Sequence, residues 1–234
     1  MTKYLLFDLD GTLLPVDTES FIPTYVKSVT RYFSRLIDPQ LFSRQLMASS
    51  YAMIGNLDPG LTNQEKFMAD FFQHIGYEPA ELMPLFAEYY ERHYHEVRAV
   101  TRPTPLARQI VEDALKRGLK VVLATNPVFP REAIAQRMAW AGIADLPWEL
   151  VTSYEDTHFC KPNIQYYAEV LERIGAKPEE CVHIGNDMDE DFPASEIGIR
   201  VAIVEDCLIN PSNRPLADCH FHGSLRELAQ WLDG

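Results

Sequence analysis

Tyr4-Leu5-Leu6-Phe7-Asp8-Leu9-Asp10-Gly11-Thr12-Leu13 is the stretch whose reading decides the fold. An unbroken apolar run, Tyr4 to Phe7, ends in a carboxylate; a second carboxylate follows two residues later, and then a glycine. Such a run reads as a strand covered on both faces, as the strands of a parallel sheet are. Gly11 lets the chain turn away where a side chain would obstruct it. Asp8 and Asp10 are thereby expected at the carboxyl end of a central strand, where open α/β sheets bind their ligands. Two carboxylates held that close repel each other unless a cation lies between them or one keeps a proton. Oxygen-rich sites of this kind suit magnesium.

Outward from this strand the pattern changes twice. Leu13-Leu14-Pro15-Val16-Asp17-Thr18 is too proline-broken for a long strand and is expected to form a short flap and hinge. From about residue 20 to 95 the apolar residues recur at helical spacing: Phe21, Tyr25, Val29 and Phe33, then Phe67, Phe71 and Ile75, then Leu82, Leu85, Phe86, Tyr89 and Tyr90. This segment reads as an all-helical insert. After Pro103-Thr104-Pro105 an alternation of helices and buried strands begins. Helices are expected over 106–116, 131–140, 163–174, 194–197 and 225–232, and strands over 120–124, 148–151, 181–184 and 200–204. The fold class predicted is α/β, a doubly wound parallel sheet with right-handed crossovers and a smaller all-helical cap domain. The core comprises residues 1–16 and 99–234, and the cap residues 17–98.

The strand ends carry polar residues of different kinds, each suited to one task in moving a phosphoryl group. Asp8 can serve as a nucleophile that takes the phosphoryl group as an acyl phosphate. Asp10 can act as acid and then base, and its backbone carbonyl can serve a metal. Thr125 ends the strand over 120–124 and offers a hydroxyl to a phosphate oxygen, with the Asn126 amide beside it. Lys161, in Phe159-Cys160-Lys161-Pro162, precedes a helix and can neutralise Asp8 and the transferred group, with Pro162 expected at the first helical position. Asp187, Asp189, Glu190 and Asp191 cluster after the strand over 181–184 and suit a hard divalent cation. Asp187 and Asp191 are expected to face the metal, and Asp189 and Glu190 the solvent.

Taken in chain order, these pieces resemble the four motifs of the haloacid dehalogenase superfamily over nearly the whole sequence. Asp8-Leu9-Asp10-Gly11-Thr12 resembles the first motif, Thr125 the second, Lys161 the third, and Gly185-Asn186-Asp187 with Asp191 the fourth. The helical insert resembles the first-type cap of that superfamily. One departure is that the fourth motif usually begins Gly-Asp, whereas Asn186 follows Gly185 here. The resemblance implies a Rossmann-like core, a magnesium ion at Asp8, Asp10, Asp187 and Asp191 with either Asp187 or Asp191 as the direct ligand from the fourth motif, and chemistry by Asp8, Asp10 and Lys161. Among the superfamily's activities, the second aspartate, Asp10, points to a leaving group that needs protonation. That implies a phosphatase acting on a small phosphorylated metabolite rather than a dehalogenase. A phosphonate hydrolase would need a cap lysine at the site, and nothing in the sequence places Lys27 or Lys66 there. A phosphomutase, or a catalytically weak binding protein of the same fold, is the alternative. Asp17, Thr18, Tyr25 and His158 are candidates for the mouth of the site.

Composition sets the remaining limits. With 34 acidic against 21 basic residues in 234, the chain is a poor partner for nucleic-acid backbones or anionic membranes. Cys160, Cys181, Cys207 and Cys219 lack metal-ligand spacing and read as thiols of a reducing compartment, with a Cys207–Cys219 contact left open. No signal-type segment opens the sequence, and no apolar stretch approaches the roughly 20 residues of a membrane helix. A cytoplasmic protein is expected.

Overall fold

A computed structural model of the chain describes residues 1–233, with the side chains of Thr18 and Asp233 outside that description. The opening run forms β1, Tyr4–Phe7. It is followed in the core by β2 (Lys120–Leu123), β3 (Leu150–Val151), β4 (Cys181–Gly185), β5 (Arg200–Val204) and β6 (Phe221–Gly223). All pair in parallel, in the order β3-β2-β1-β4-β5-β6. β1 is therefore central, with Phe7 opposite Leu123 on one side and Ile184 on the other.

The pleat explains why β1 is apolar throughout. Leu5 and Phe7 point into one hydrophobic layer, with Val111, Ile134 and Leu228. Tyr4 and Leu6 point into the other, with Tyr166, Tyr167 and Val170. Successive side chains of a strand face opposite sides, so a strand covered on both faces has no polar position to spare. The helices Pro105–Lys116 and Leu225–Asp233 pack on the first side and Ile164–Ile174 on the second.

Between β1 and β2 lies the cap, made of α1 (Thr18–Phe33), α2 (Pro39–Gly55), α3 (Asn63–Ile75), α4 (Pro79–Arg92) and a 3-10 helix, Tyr94–Val100. Its interior is aromatic, with the Phe33 ring 4.8 Å from Phe42 and 4.6 Å from Phe86. α2 carries a buried stripe of Phe42, Leu46, Ser49 and Met53, whose polar member hides the period from a reading of apolar residues alone. Ser49 is satisfied by Asp70, 2.6 Å away. Two strands of linker run side by side where cap meets core: Asp17 N donates to Val100 O and Arg102 N to Pro15 O.

Several boundaries differ from the sequence reading. The segment expected as a helix over 194–197 is a 3-10 helix, Phe192–Ile197, opened by Pro193. Pro162 lies before the N-cap residue Asn163 and not inside the helix that follows. β6 was not expected, because three residues at a sheet edge, one of them the exposed His222, carry no readable period. The four cysteines are free thiols: Cys207 Sγ lies 3.3 Å from Val16 O, and Cys219 Sγ 3.8 Å from Met188 Sδ. Among the described residues, no helix is long and apolar enough to cross a membrane.

Candidate active site

The loop after β1 is shaped by Gly11. Its φ is +86°, a region that favours glycine, and a Cβ there would lie 2.3 Å from the Asn186 amide nitrogen. Asn186 thus closes directly over the first loop, and its Oδ1 accepts from the Thr12 hydroxyl at 3.1 Å. Thr12 is fully buried and ties the loop after β1 to the loop after β4. These contacts bring the ends of the two central strands to one place.

Lys161 sits beneath that place with 1 % of its surface exposed. Its Nζ donates to Asp8 Oδ1 at 2.9 Å and to Asp191 Oδ1 at 2.7 Å. Asp191 is held on every side. Its Oδ1 also accepts from His183 Nε2 at 2.8 Å, and its Oδ2 accepts the backbone N–H of Asn186 and of Asp187 at 3.0 and 2.9 Å. A Cβ on Gly185 would lie 2.0 Å from Asp191 Oδ2, so only glycine leaves room for this carboxylate over the strand end. His183 is fully buried, and burial lowers its pKa; a neutral ring with its proton on Nε2 suits a carboxylate that can only accept.

One ammonium is shared unequally by two carboxylates. Burial works to raise the Asp191 carboxyl, but Lys161 and His183 outweigh it and hold it well below the usual carboxylate range. Asp8 receives less: burial pushes its carboxyl up to about 7 against the pull of Lys161. Burial also opposes the charge on Lys161, yet Asp191 and Asp8 together keep its pKa well above the ordinary value.

Above Asp8 lies a cleft of about 200 Å³ lined by Asp10, Thr125, Asn126, Asp187, Glu190 and Asp191, among others. The seven residues expected at the site therefore converge: six line the cleft, and Lys161 reaches Asp8 from below. Asn126 is spent on neighbours, its Oδ1 accepting from Lys161 N at 3.2 Å and its Nδ2 donating to Glu190 at 3.0 Å. Asp187 Oδ1 accepts the backbone N–H of Asp189 and of Glu190. Asp189 faces outward to Ser212 and Arg214. Glu190, expected in solvent, instead turns into the cleft, where burial pushes its carboxyl up to about 8.

A family model described as haloacid dehalogenase-like hydrolase matches residues 2–196. The chain belongs to the haloacid dehalogenase-like hydrolases. Within the family it is 32% identical over 113 residues to a glyceraldehyde 3-phosphate phosphatase of Methanothermobacter thermautotrophicus, a match spanning 47% of this chain and about half, 49%, of that relative. It is 22% identical over 200 residues to the pyrophosphatase PpaX of Halalkalibacterium halodurans, covering 86% of this chain and 82% of the relative. Among solved structures, a HAD phosphatase from Thermococcus onnurineus superposes with a TM-score of 0.61 at 20% identity, covering 100% of this chain and 99% of that one. A 2-haloacid dehalogenase from Pseudomonas syringae gives a TM-score of 0.63 at 20% identity, with the same coverage of both chains. These superpositions support the fold of a family hydrolase: a Rossmann-like core with a helical cap.

This family hydrolase has a site residue that the sequence reading missed. Arg137, on the helix Arg131–Trp140, is 1 % exposed and its Nη1 bonds Asp10 Oδ2. Its guanidinium carbon lies 4.4 Å from the centre of the Phe129 ring, and its Nε donates to Ala133 O. Burial raises the Asp10 carboxyl, with Arg137 opposing. The available signal was helical period: Arg137 falls three residues after Ile134 and four after Ala133, on the face that buries Met138. A charge on a core-facing stripe needs a partner. Of the other candidates, Tyr25 lines the adjoining chamber, and Thr18 has its side chain outside the described residues. Asp17 caps α1 through Ser20 N. His158 pairs with Glu169 at 2.8 Å, and Lys66 donates to the backbone carbonyls of Asn56 and His158.

Arg137→Met should cost roughly 1–3 kcal/mol in urea unfolding, because the half-buried Asp10 carboxyl loses its hydrogen-bonded partner. Adding Asp10→Asn should recover part of that loss; strictly additive losses would show that the pair is not coupled. Asp8 carries a pH signature. A carboxyl whose folded value exceeds its unfolded value favours the fold while protonated and costs stability as pH rises from 3.8 to about 7. In chelator-treated protein, Asp8→Asn should therefore raise the thermal midpoint at pH 8, by the equivalent of at most about 4 kcal/mol, with the gain shrinking toward pH 4. An equal or lower midpoint at pH 8 would contradict this charge balance.

Proposed function

We propose that this hydrolase is a magnesium-dependent phosphatase that hydrolyses a small phosphate monoester through an aspartyl phosphate on Asp8. The observation that carries the reading is the pairing of Asp8 with buried Lys161 at the floor of a cleft whose wall includes a second aspartate, Asp10. The relatives named for glyceraldehyde 3-phosphate and for pyrophosphate support a small phosphorylated compound.

Lys161 occupies Asp8 Oδ1, which leaves Oδ2 to attack phosphorus. As the new O–P bond forms, the ester P–O bond breaks, and Asp10 gives its proton to the departing oxygen. Burial of Asp10 favours the protonated start that this step requires. Asp10 then takes a proton from a water that attacks the phosphoryl group, which frees Asp8 and releases inorganic phosphate. Lys161 offsets charge on the phosphoryl oxygens, and Thr125, which lines the cleft, would offer its hydroxyl to one of them.

Five carboxylates line the cleft, Asp8, Asp10, Asp187, Glu190 and Asp191, with no lysine, arginine or histidine among the described lining residues. That surplus of hard oxygen donors fits a divalent cation. No three acidic, histidine or cysteine side chains among the described residues are gathered closely enough to hold an ion alone. Magnesium suits such a setting, since it commonly takes one or two carboxylates, waters and the substrate's phosphate. Asp8, Asp187 and the Asp10 carbonyl are the groups that would hold it. Asp191 is reassigned to positioning, because both its oxygens are engaged by Lys161, His183 and two backbone N–H groups. When bound, the ion supplies positive charge to the phosphoryl oxygens.

Hydrolysis of p-nitrophenyl phosphate, measured with magnesium and with a chelator, tests the reading. Activity should require the metal and vanish in Asp8→Asn. Asp10→Asn should lower kcat roughly 10²- to 10⁴-fold with native circular dichroism. Equal rates in wild type and Asp8→Asn would place the chemistry elsewhere.

A further inference from the structure

A second and larger space, about 510 Å³, lies between cap and sheet. It adjoins the carboxylate cleft, sharing Ile22, Asn126, Val128, Phe129 and Glu190 with it. Its wall is supplied by α1, α2, α3 and α4, the loop after β2 with the start of the helix Arg131–Trp140, and the loops after β3 and β4. Leu46, Phe67, Met68, Met83 and Phe86 are typical of that wall. Three carboxylates, Glu132, Glu155 and Glu190, reach the space, and no lysine, arginine or histidine is among its described lining residues.

A chamber next to a phosphoryl site holds whatever the phosphate is attached to. A leaving group with a second phosphate or a carboxylate would enter here without a cation and against three acids. Apolar side chains make the larger share of the wall, with Ser50, Gln64 and Tyr154 among its polar members, and a three-carbon sugar would fill only a fraction of the volume. Pockets of this size take drug-sized ligands with mainly apolar surfaces. We infer that the chamber selects phosphate monoesters of uncharged, apolar alcohols, aromatic or medium-chain alkyl, and disfavours leaving groups that bear a second anion. The inference rests on the phosphatase reading above and narrows it to a substrate class. The hydroxyls of Tyr25 and Tyr90 on the chamber wall are paired with each other at 2.7 Å.

The test is kcat/KM for methyl, n-butyl, n-hexyl and 1-naphthyl phosphate beside glyceraldehyde 3-phosphate, 3-phosphoglycerate and pyrophosphate. Each methylene buried should raise kcat/KM roughly fourfold until the chamber fills. Hexyl and naphthyl phosphate should exceed the three polar compounds at least tenfold. Met68→Lys places a cation at a half-buried wall position; it should lower hexyl phosphate turnover at least tenfold and raise that of 3-phosphoglycerate. A flat alkyl series, or Asp8-dependent hydrolysis that favours a polar compound, would overturn the inference and leave the phosphatase reading standing. If no ester is hydrolysed, the phosphatase reading fails, and the chamber is read by saturable binding of 1-naphthol, followed by its fluorescence. Binding weakened at least tenfold by Met68→Lys supports an apolar site, and absence of saturable binding overturns it.

Discussion

One ammonium group, that of Lys161, is divided between two carboxylates that burial would otherwise drive to protonation. Asp191 takes the larger share because His183 and two backbone N–H groups assist it. Asp8 takes the smaller share and keeps one oxygen free of that contact. Much of the surrounding structure serves this division. Gly185 has no side chain because the Asp191 carboxylate occupies that space, and Gly11 has none because Asn186 does. Asn126 accepts from Lys161 N and so fixes the backbone from which the ammonium is presented. A buried pair of this kind contributes little net stability, since desolvation offsets attraction. What it supplies is a carboxylate held in one place at the end of a rigid strand.

The second aspartate is arranged by a different cation. Arg137 reaches Asp10 from the helix after β2, packed on Phe129, and both groups keep one buried polar atom without a partner among the described residues, Arg137 Nη2 and Asp10 Oδ1. The two acids of the first motif therefore stand in distinct surroundings, Asp8 against an ammonium and Asp10 against a guanidinium. Such separation is what allows neighbouring carboxyl groups to take different protonation states. The net charge of −13 repels an anionic ester at long range, so attraction must come from groups inside the site.

The sheet was legible because its central strands are covered on both faces and so read as apolar runs; β1 is unbroken, and β4 is interrupted only by His183, which is buried against Asp191. The gathering of Asp8, Asp10, Thr125, Lys161 and Asp191 at one place was legible because each follows such a run or precedes a helix, though the engagement of both Asp191 oxygens by Lys161, His183 and two backbone N–H groups was not. Three further features were not. β6 is too short to carry a period. Glu190 could not be separated from Asp189 by sequence, since its turn toward the cleft depends on Asn126, 64 residues away in the chain. Arg137 lay in plain view on a buried helical face, but its partner is 127 residues distant, and local spacing cannot identify it. The chamber wall is drawn from four cap helices and several core segments, so its mainly apolar lining, without lysine, arginine or histidine among the described residues, exists only once the cap has packed.

The proposed mechanism is covalent, with phosphorus bonded transiently to Asp8. Rapid acid quenching of the enzyme during turnover with a phosphate ester and magnesium, followed by peptide mass spectrometry, tests it directly. The account predicts that a single phosphoryl group appears on the peptide containing Asp8, accumulates when Asp10→Asn slows its hydrolysis, and is absent from Asp8→Asn. Turnover with no phosphoryl group trapped at Asp8 in either wild type or Asp10→Asn, or trapping on another residue, would contradict it.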